Sequence, residues 1–338
     1  MSSISSGQLA GLDAGQAVVS RPTLQGHLQI ARVDHWVKNV FVLPGIVVAV
    51  GMDPAHLTPS LVPRALLGLL AVGLIASSNY TINEVLDAPY DRTHPVKSQR
   101  PVPSGAVSIP LAYVQWLGLA LVGVALGAAI SPGLGIAMIA LWAMGCIYNI
   151  PPIRSKEIPY LDVLSEAVNN PIRLLAGWYI VGPSVAAPAS LLASYWMVGC
   201  YFMAIKRYAE LRFILDASSA ALYRRSFAHY TLDRLLVSIM FYASAAMLCF
   251  GAFIIRYRVE LILAFPLVAL VMSLYLRLGF EPGSAAEAPE KLYRQRGLLA
   301  SVVAAAAVMG VLSLVDVPAV RDLLAPQSPE AVQVVAGE

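Results

Sequence analysis

The sequence predicts an all-α, polytopic membrane protein, and three observations carry that reading. Of its 338 residues, 58% are hydrophobic and only 13% charged, against about 25% charged in an ordinary soluble domain. Apolar runs recur at lengths near the roughly 20 residues that a helix needs to cross a hydrocarbon core about 30 Å thick. The Lys and Arg residues crowd into alternate connections between those runs, the asymmetry that fixes membrane topology. An ordinary soluble domain is excluded, and a net charge of +3 gives no reason to expect a nucleic-acid partner.

Nine spans are expected, near residues 40–52, 64–81, 109–130, 133–149, 161–182, 187–206, 235–254, 259–277 and 298–315. The first is short and is approached by Arg32-Val33-Asp34-His35-Trp36-Val37-Lys38-Asn39, where Trp36 reads as an interfacial anchor. The second runs into the most polar stretch of the chain. The third and fourth are divided only by Ser131-Pro132, and the fifth and sixth by Gly182-Pro183-Ser184. The remaining three alternate with short charged connections. Residues 1–27 and 316–338 are expected to be flexible tails around one domain, 28–315. No cleavable signal peptide is expected, because the first 25 residues are rich in Ser, Gly and Ala without a basic-then-apolar arrangement. Cys146, Cys200 and Cys249 fall within apolar runs at no metal-ligand spacing and read as small core residues.

With the N-terminus inside, the inner connections hold 18 of the 23 Lys and Arg residues and the outer ones hold 4, with Arg173 inside a span. The long inner loops 81–108, 149–160 and 207–234 also carry almost every charge combination useful for binding an anion. Function is therefore expected on the cytoplasmic face.

Asn83, Asp87 and Asp91 recur at i, i+4 and i+8, one stripe of a helix, although Pro89 threatens the far end. Carboxylates so placed, with Glu84 beside them, suit Mg²⁺, which takes oxygen ligands and shares them with substrate phosphates. The alternative is a solvated helix end. His94-Pro95-x-Lys97-x-x-Arg100-Pro101 follows at once and supplies the cations a phosphate needs. A second constellation starts at Tyr148-Asn149-Ile150-Pro151-Pro152-Ile153-Arg154-Ser155-Lys156 and continues as Asp162, Glu166, Asn169, Asn170 and Arg173, a polar face on an apolar helix. Charge at that depth faces a cavity or a partner, or else Glu166 and Arg173 form an ion pair that only locks helices. A third inner loop begins with Lys206-Arg207-x-x-Glu210 and holds Arg224, Arg225 and Arg234, which can equally contact lipid headgroups.

Together these residues resemble the UbiA superfamily of intramembrane prenyltransferases, whose first motif is Asn-Asp-x-x-Asp-x-x-x-Asp. This chain reads Asn83-Glu84-x-x-Asp87-x-x-x-Asp91, with Glu84 departing from the usual aspartate, and Asp162-x-x-x-Glu166 stands where many members have two aspartates. Within the superfamily, Trp36-Val37-Lys38-Asn39, His94-Pro95-Val96-Lys97 with Arg100-Pro101, and Lys206-Arg207-x-x-Glu210 resemble the decaprenyl-phosphate phosphoribosyltransferase branch; a rhizobial nodulation protein of that branch is similar as well. The resemblance implies a nine-helix bundle in a bacterial inner membrane that moves 5-phosphoribose from phosphoribosyl diphosphate to a polyprenyl phosphate, an early step toward lipid-linked arabinose for cell-wall arabinan or nodulation factors. It implies Mg²⁺ held by Asn83, Glu84, Asp87, Asp91 and Asp162, and catalytic roles for Asp87, Asp91, Asp162 and Arg173, the last meeting the acceptor phosphate. Substrate contacts are implied for Lys38, Asn39, Asn83, Lys97, Arg100, Tyr148, Lys156, Glu166, Asn170, Lys206, Arg207 and Glu210. The partners are the bilayer, a polyprenyl phosphate and phosphoribosyl diphosphate, with homo-oligomerisation left open. Transfer of a prenyl group to an aromatic ring is the rival reaction, and a transporter or lipid-binding protein the rival class.

Overall fold

The computed structural model describes residues 21–92, 97–212, 225–283, 285–286, 292 and 294–324. His94, Pro95 and Arg224 lie outside the described residues, as do the chain ends of the two expected tails. Every regular element among the described residues is helical.

The bundle opens with α1 (Leu24–Ile30), a 3-10 helix (Val33–Val42) and α2 (Leu43–Met52). Then come α3 (Leu61–Asp91), α4 (Ile109–Ile130), α5 (Pro132–Asn149), α6 (Leu161–Ala167), α7 (Asn169–Val181) and α8 (Ala189–Arg212). The last part comprises α9 (Leu232–Tyr257), α10 (Phe265–Gly279), α11 (Arg296–Leu314) and the short α12 (Pro318–Leu324). Among the described residues seven helical stretches are long and apolar enough to cross a membrane, three of them 24–52, 61–91 and 232–257. The expected fifth span is divided at Val168 into α6 and α7, and the expected sixth is α8, which is long enough but less apolar. The expected tails also contain structure: α1 begins at Leu24, capped by the Thr23 hydroxyl, and α12 follows residue 316.

The second span departs most from expectation. It extends ten residues past Thr81 as α3, passes through Pro89 and ends at Asp91, so the whole first motif is helical. Proline removes one backbone bond and crowds the preceding turn, but here only two helical residues follow it.

The apolar outer surface is what a bilayer requires. Leu121, Leu248 and Val237 are largely exposed, while the buried residues of α4 are the small Ala112, Ala120, Gly123 and Gly127. With lipid no less apolar than leucine, helices associate through close backbone approach at small residues. The crossing of α2 and α7 is the tightest example. A Cβ on Gly45 would stand 2.0 Å from the Leu174 carbonyl oxygen, and one on Gly177 would stand 2.1 Å from that of Val42. Buried hydroxyls supply further ties: Ser77 donates to the Ala31 carbonyl at 2.6 Å and Ser78 to that of Trp116 at 2.7 Å.

Because the obstruction at this crossing is backbone, Gly177→Leu forces α2 and α7 apart. Overpacking of this kind costs about 1–3 kcal/mol, so the detergent-purified variant should melt earlier than wild type when monomer recovery on size exclusion is followed with temperature. Gly118→Leu, where a Cβ meets nothing within 4 Å, should melt as wild type does.

Candidate active site

The three polar motifs converge at one end of the bundle. α3 carries Asn83, Asp87 and Asp91 along one side of its last turns, as the i, i+4 spacing requires. The Asp87 carboxylate meets Lys156 Nζ at 2.6 Å and Arg154 Nη2 at 2.8 Å through Oδ1. Asn83 donates a short hydrogen bond to the side-chain oxygen of Asn149. That oxygen also accepts from Lys156 Nζ at 3.0 Å, closing a ring between α3, the end of α5 and the following loop. Arg154 adopts left-handed backbone angles, φ 35° and ψ 56°, and its Nε donates to Glu157 at 2.5 Å. The Asp87, Arg154 and Lys156 side chains are 22%, 12% and 10% exposed, enough for a ligand to reach them. Asp91 pairs separately with Arg100 at 2.6 Å.

A second charge group lies deeper. Asp162, with no exposed surface, accepts from Arg207 Nε at 2.9 Å, Tyr230 Oη at 2.6 Å and Ser226 Oγ at 3.3 Å. Arg207 is 2% exposed and its Nη1 reaches Glu210 at 2.9 Å; Lys206 lies 4.0 Å from the other Glu210 oxygen. Tyr230 Oη accepts in turn from the backbone N–H of Tyr160 at 2.6 Å. Burial and the adjacent carboxylate push the Tyr230 hydroxyl well above the ordinary tyrosine range, so it stays protonated and keeps donating to Asp162.

The expected residues thus separate. Asn83, Asp87 and Lys156 come together, Asp91 and Arg100 stand beside them, and Asp162, Arg207, Glu210 and Lys206 form the inner group. Tyr148 lies within electrostatic reach of Arg207. Lys97 is half-buried in a short 3-10 helix, Lys97–Gln99. Lys38 is half-buried on the Val33–Val42 helix. Asn39 is buried with its side-chain oxygen unpartnered, beside an apolar groove of about 430 Å³ lined by Trp36, Leu43, Leu66 and Leu70. Asn170 packs its amide over Gly199. Glu166 and Arg173 do not pair within 4.0 Å, and Arg173 Nε is buried without a hydrogen-bond partner, so the expected alternative of a helix-locking ion pair between them is not formed. Glu84 turns away from Asp87: it is 1% exposed, accepts from the Val102 backbone N–H at 3.1 Å and lies 3.6 Å from Arg32. Contacts by Asn149, Arg154, Ser226 and Tyr230 complete the two groups. Their contacts with Asn83, Asp87 and Asp162 each span 64 to 68 residues of sequence.

Among the described residues no three His, Cys, Asp or Glu side chains converge on one point. A protein-only metal cage is thus not formed, and Mg²⁺ does not require one, because it takes one or two carboxylates and completes its shell with water and phosphate oxygens. Asn83 and Asp87 offer such a partial oxygen set, with cations alongside for the phosphates.

The family model for UbiA prenyltransferases matches residues 40–302. The chain belongs to the UbiA prenyltransferase family. It is 31% identical over 242 residues to the decaprenyl-phosphate phosphoribosyltransferase of Mycobacterium tuberculosis, covering 69% of this chain and 76% of that protein. It is 26% identical over 205 residues to the nodulation protein NoeC of Azorhizobium caulinodans, covering 60% of this chain and 62% of that protein. The solved structure of a UbiA homolog from Archaeoglobus fulgidus bound to GPP and Mg²⁺ superposes with a TM-score of 0.64 at 22% identity, over 86% of this chain and 99% of that one. The protein is a UbiA-superfamily transferase and a multi-pass membrane protein. Its helices set the UbiA polar motifs at one end of an apolar bundle.

Arg207 is the keystone of the inner group, and breaking a buried ion pair by deleting one partner costs about 3–5 kcal/mol. Arg207→Met should therefore lower the melting temperature in detergent markedly more than Arg225→Met, whose ion pair with Glu157 is exposed. Equal melting of the two variants would remove the structural role given to Arg207.

Proposed function

We propose that this UbiA protein transfers 5-phosphoribose from phosphoribosyl diphosphate to a polyprenyl phosphate, releasing diphosphate, with Mg²⁺ as cofactor. The observation that carries this reading is Asp87, a partly exposed carboxylate at the end of a membrane-spanning helix with two cations, Arg154 and Lys156, on one of its oxygens. The similarity to decaprenyl-phosphate phosphoribosyltransferases supports the donor and acceptor, and the similarity to NoeC supports an early place in making lipid-linked arabinose donors.

In the reaction the bond between the anomeric carbon and the diphosphate oxygen breaks, and an oxygen of the acceptor phosphate forms a new bond to that carbon. Asn83 and Asp87 would hold Mg²⁺, with Asp91 beside them. The ion supplies charge neutralisation of the departing diphosphate. Lys156 and Arg154 turn their donors from Asp87 to the diphosphate oxygens, and Lys97 and Arg100 complete the anionic end of the site. Glu84 and Asp162, expected as metal ligands from the motif, serve instead as braces, one for Arg32 and the 101–106 loop and the other for Arg207 and Tyr230. Arg173 receives the acceptor phosphate, which is already ionised because its second pKa is about 6, so alignment rather than a strong general base is what the site must provide. The distribution of Lys and Arg supports a cytoplasmic N-terminus and a cytoplasm-facing site.

The test is incubation of the purified protein with Mg²⁺, labelled phosphoribosyl diphosphate and decaprenyl phosphate, followed by organic extraction. Mg²⁺-dependent label in the lipid phase is the expected outcome. No label from folded protein, together with prenylation of an aromatic acid from a polyprenyl diphosphate, would replace this reading with aromatic prenyl transfer. Asp87→Asn should lower kcat by about 10²–10³, the usual scale for losing one electrostatic contact to a developing anion. Lys156→Ala should raise the KM for phosphoribosyl diphosphate about tenfold while leaving the KM for the lipid unchanged.

A further inference from the structure

On the same side of α3 as Asn83 and Asp87 lies a second polar group. The guanidinium of Arg32 stands over the Tyr80 ring, 5.9 Å from its centroid, and the His35 ring lies 5.4 Å from the same centroid. Arg173 from α7 is within electrostatic reach of both Tyr80 and Tyr195. Its Nε is buried without a partner, a costly state for a guanidinium at membrane depth. Arg32 has left-handed backbone angles, φ 46° and ψ 52°. Only three non-glycine residues among those described have positive φ: Arg32, Arg154 and Tyr160. Arg154 is in the Asp87 group and Tyr160 is bonded to Tyr230 in the inner group, so strain of this kind clusters where the chemistry is.

We propose that Arg32, over the Tyr80 ring, and Arg173 of α7, a helix packed against both α3 and the Val33–Val42 helix, form an anion subsite for the phosphate monoester of the lipid acceptor, and that Glu84 is the positioning residue that aims Arg32. The proposal rests on the phosphoribosyl-transfer reading and specifies where its acceptor binds. Guanidinium groups match phosphate with paired donors, and Arg173 has a buried donor unused. The acidic groups that face Tyr80 are Glu166 and Asp34. Asp34 is 76% exposed and meets His35 at 3.5 Å, and neither acid contacts Arg32 or Arg173 at ion-pair distance among the described residues.

The lipid chain has a path from this subsite. Trp36 lines the apolar groove of about 430 Å³ with Leu43, Leu66, Leu69 and Leu70. Its indole N–H donates to Ser77 Oγ at 2.9 Å, and Ser77 donates to the carbonyl of Ala31, the residue before Arg32. Groove and guanidinium are thereby joined through one side chain of α3. A phosphate at Arg32 would leave its polyprenyl chain beside Trp36 and open to the bilayer.

The test compares binding of decaprenyl phosphate and decaprenol to the full chain in nanodiscs, by displacement of labelled decaprenyl phosphate. Wild type should prefer the phosphate, and Arg32→Gln and Arg173→Gln should each lose about tenfold of that affinity with decaprenol binding unchanged. Arg173→Lys, which retains charge, should lose less, and it serves as the second variant if Arg173→Gln does not fold. Glu84→Gln should raise the KM for the lipid without changing that for phosphoribosyl diphosphate. Folded variants with the wild-type preference for phosphate over alcohol would overturn the subsite, even if the wild type transfers phosphoribose. Loss of that preference in the variants, with no phosphoribosyl transfer by the wild type, would uphold the subsite and overturn the donor reading.

Discussion

Asp87 ties the polar end of the bundle together. A carboxylate at the end of an apolar helix must be matched by positive charge or hydrogen bonds, because leaving it unpaired costs more than pairing it gains. Asp87 finds both cations in one loop, Arg154 and Lys156, 67 and 69 residues further along the chain. Those two residues can meet it only because Asn149, at the end of α5, accepts from Lys156 and from Asn83, and because Arg154 takes a left-handed turn secured by Glu157. The ring therefore fixes the relative heights of α3 and α5 at the membrane surface. The phosphoribosyl-transfer reading requires every member of this ring to exchange its partner for an anionic ligand and its metal.

The inner group is built differently. Asp162, Arg207 and Glu210 range from 0% to 10% side-chain exposure, and Asp162 uses three donors, one of them a tyrosine hydroxyl that also receives a backbone N–H. Nothing there is available without breaking a buried pair. Its effect is to join α6, α8 and the segment before α9. A site that exchanges partners needs a support that does not, and the closed bonding of the inner group suits it to that support.

The bundle was legible in hydropathy because lipid exposure imposes a strong composition on each span. The break at Val168 and the lower hydropathy of α8 were not legible as boundaries, since polar residues facing a cavity dilute the same signal that marks a span. The i, i+4 stripe of the first motif was readable, whereas the polar face expected on one helix for the second motif is divided at Val168 between α6 and α7. The continuation of α3 through Pro89 was not readable, because proline's local cost gives no account of the tertiary contacts of Asp87 and Asp91 on either side of it. Which carboxylate meets which cation was also hidden: the partners of Asp162 lie 45, 64 and 68 residues away, and only the folded helices bring them together. The motif resemblance sets Glu84 among the metal ligands, and the side chain's contacts with the Val102 N–H and Arg32 were not legible, because both lie outside the helix that carries it.

Those contacts give the glutamate at position 84 a physical meaning. An aspartate there would end one methylene sooner. Glu84 reaches the Val102 N–H with one oxygen and faces Arg32 with the other, so the added length spans from α3 both to the loop that carries Pro101 and to the segment before the first span. The same carboxylate thus links the loop after the metal motif to the guanidinium over Tyr80. The departure from the usual aspartate therefore goes with contacts to the Val102 N–H and to Arg32, which the longer side chain reaches.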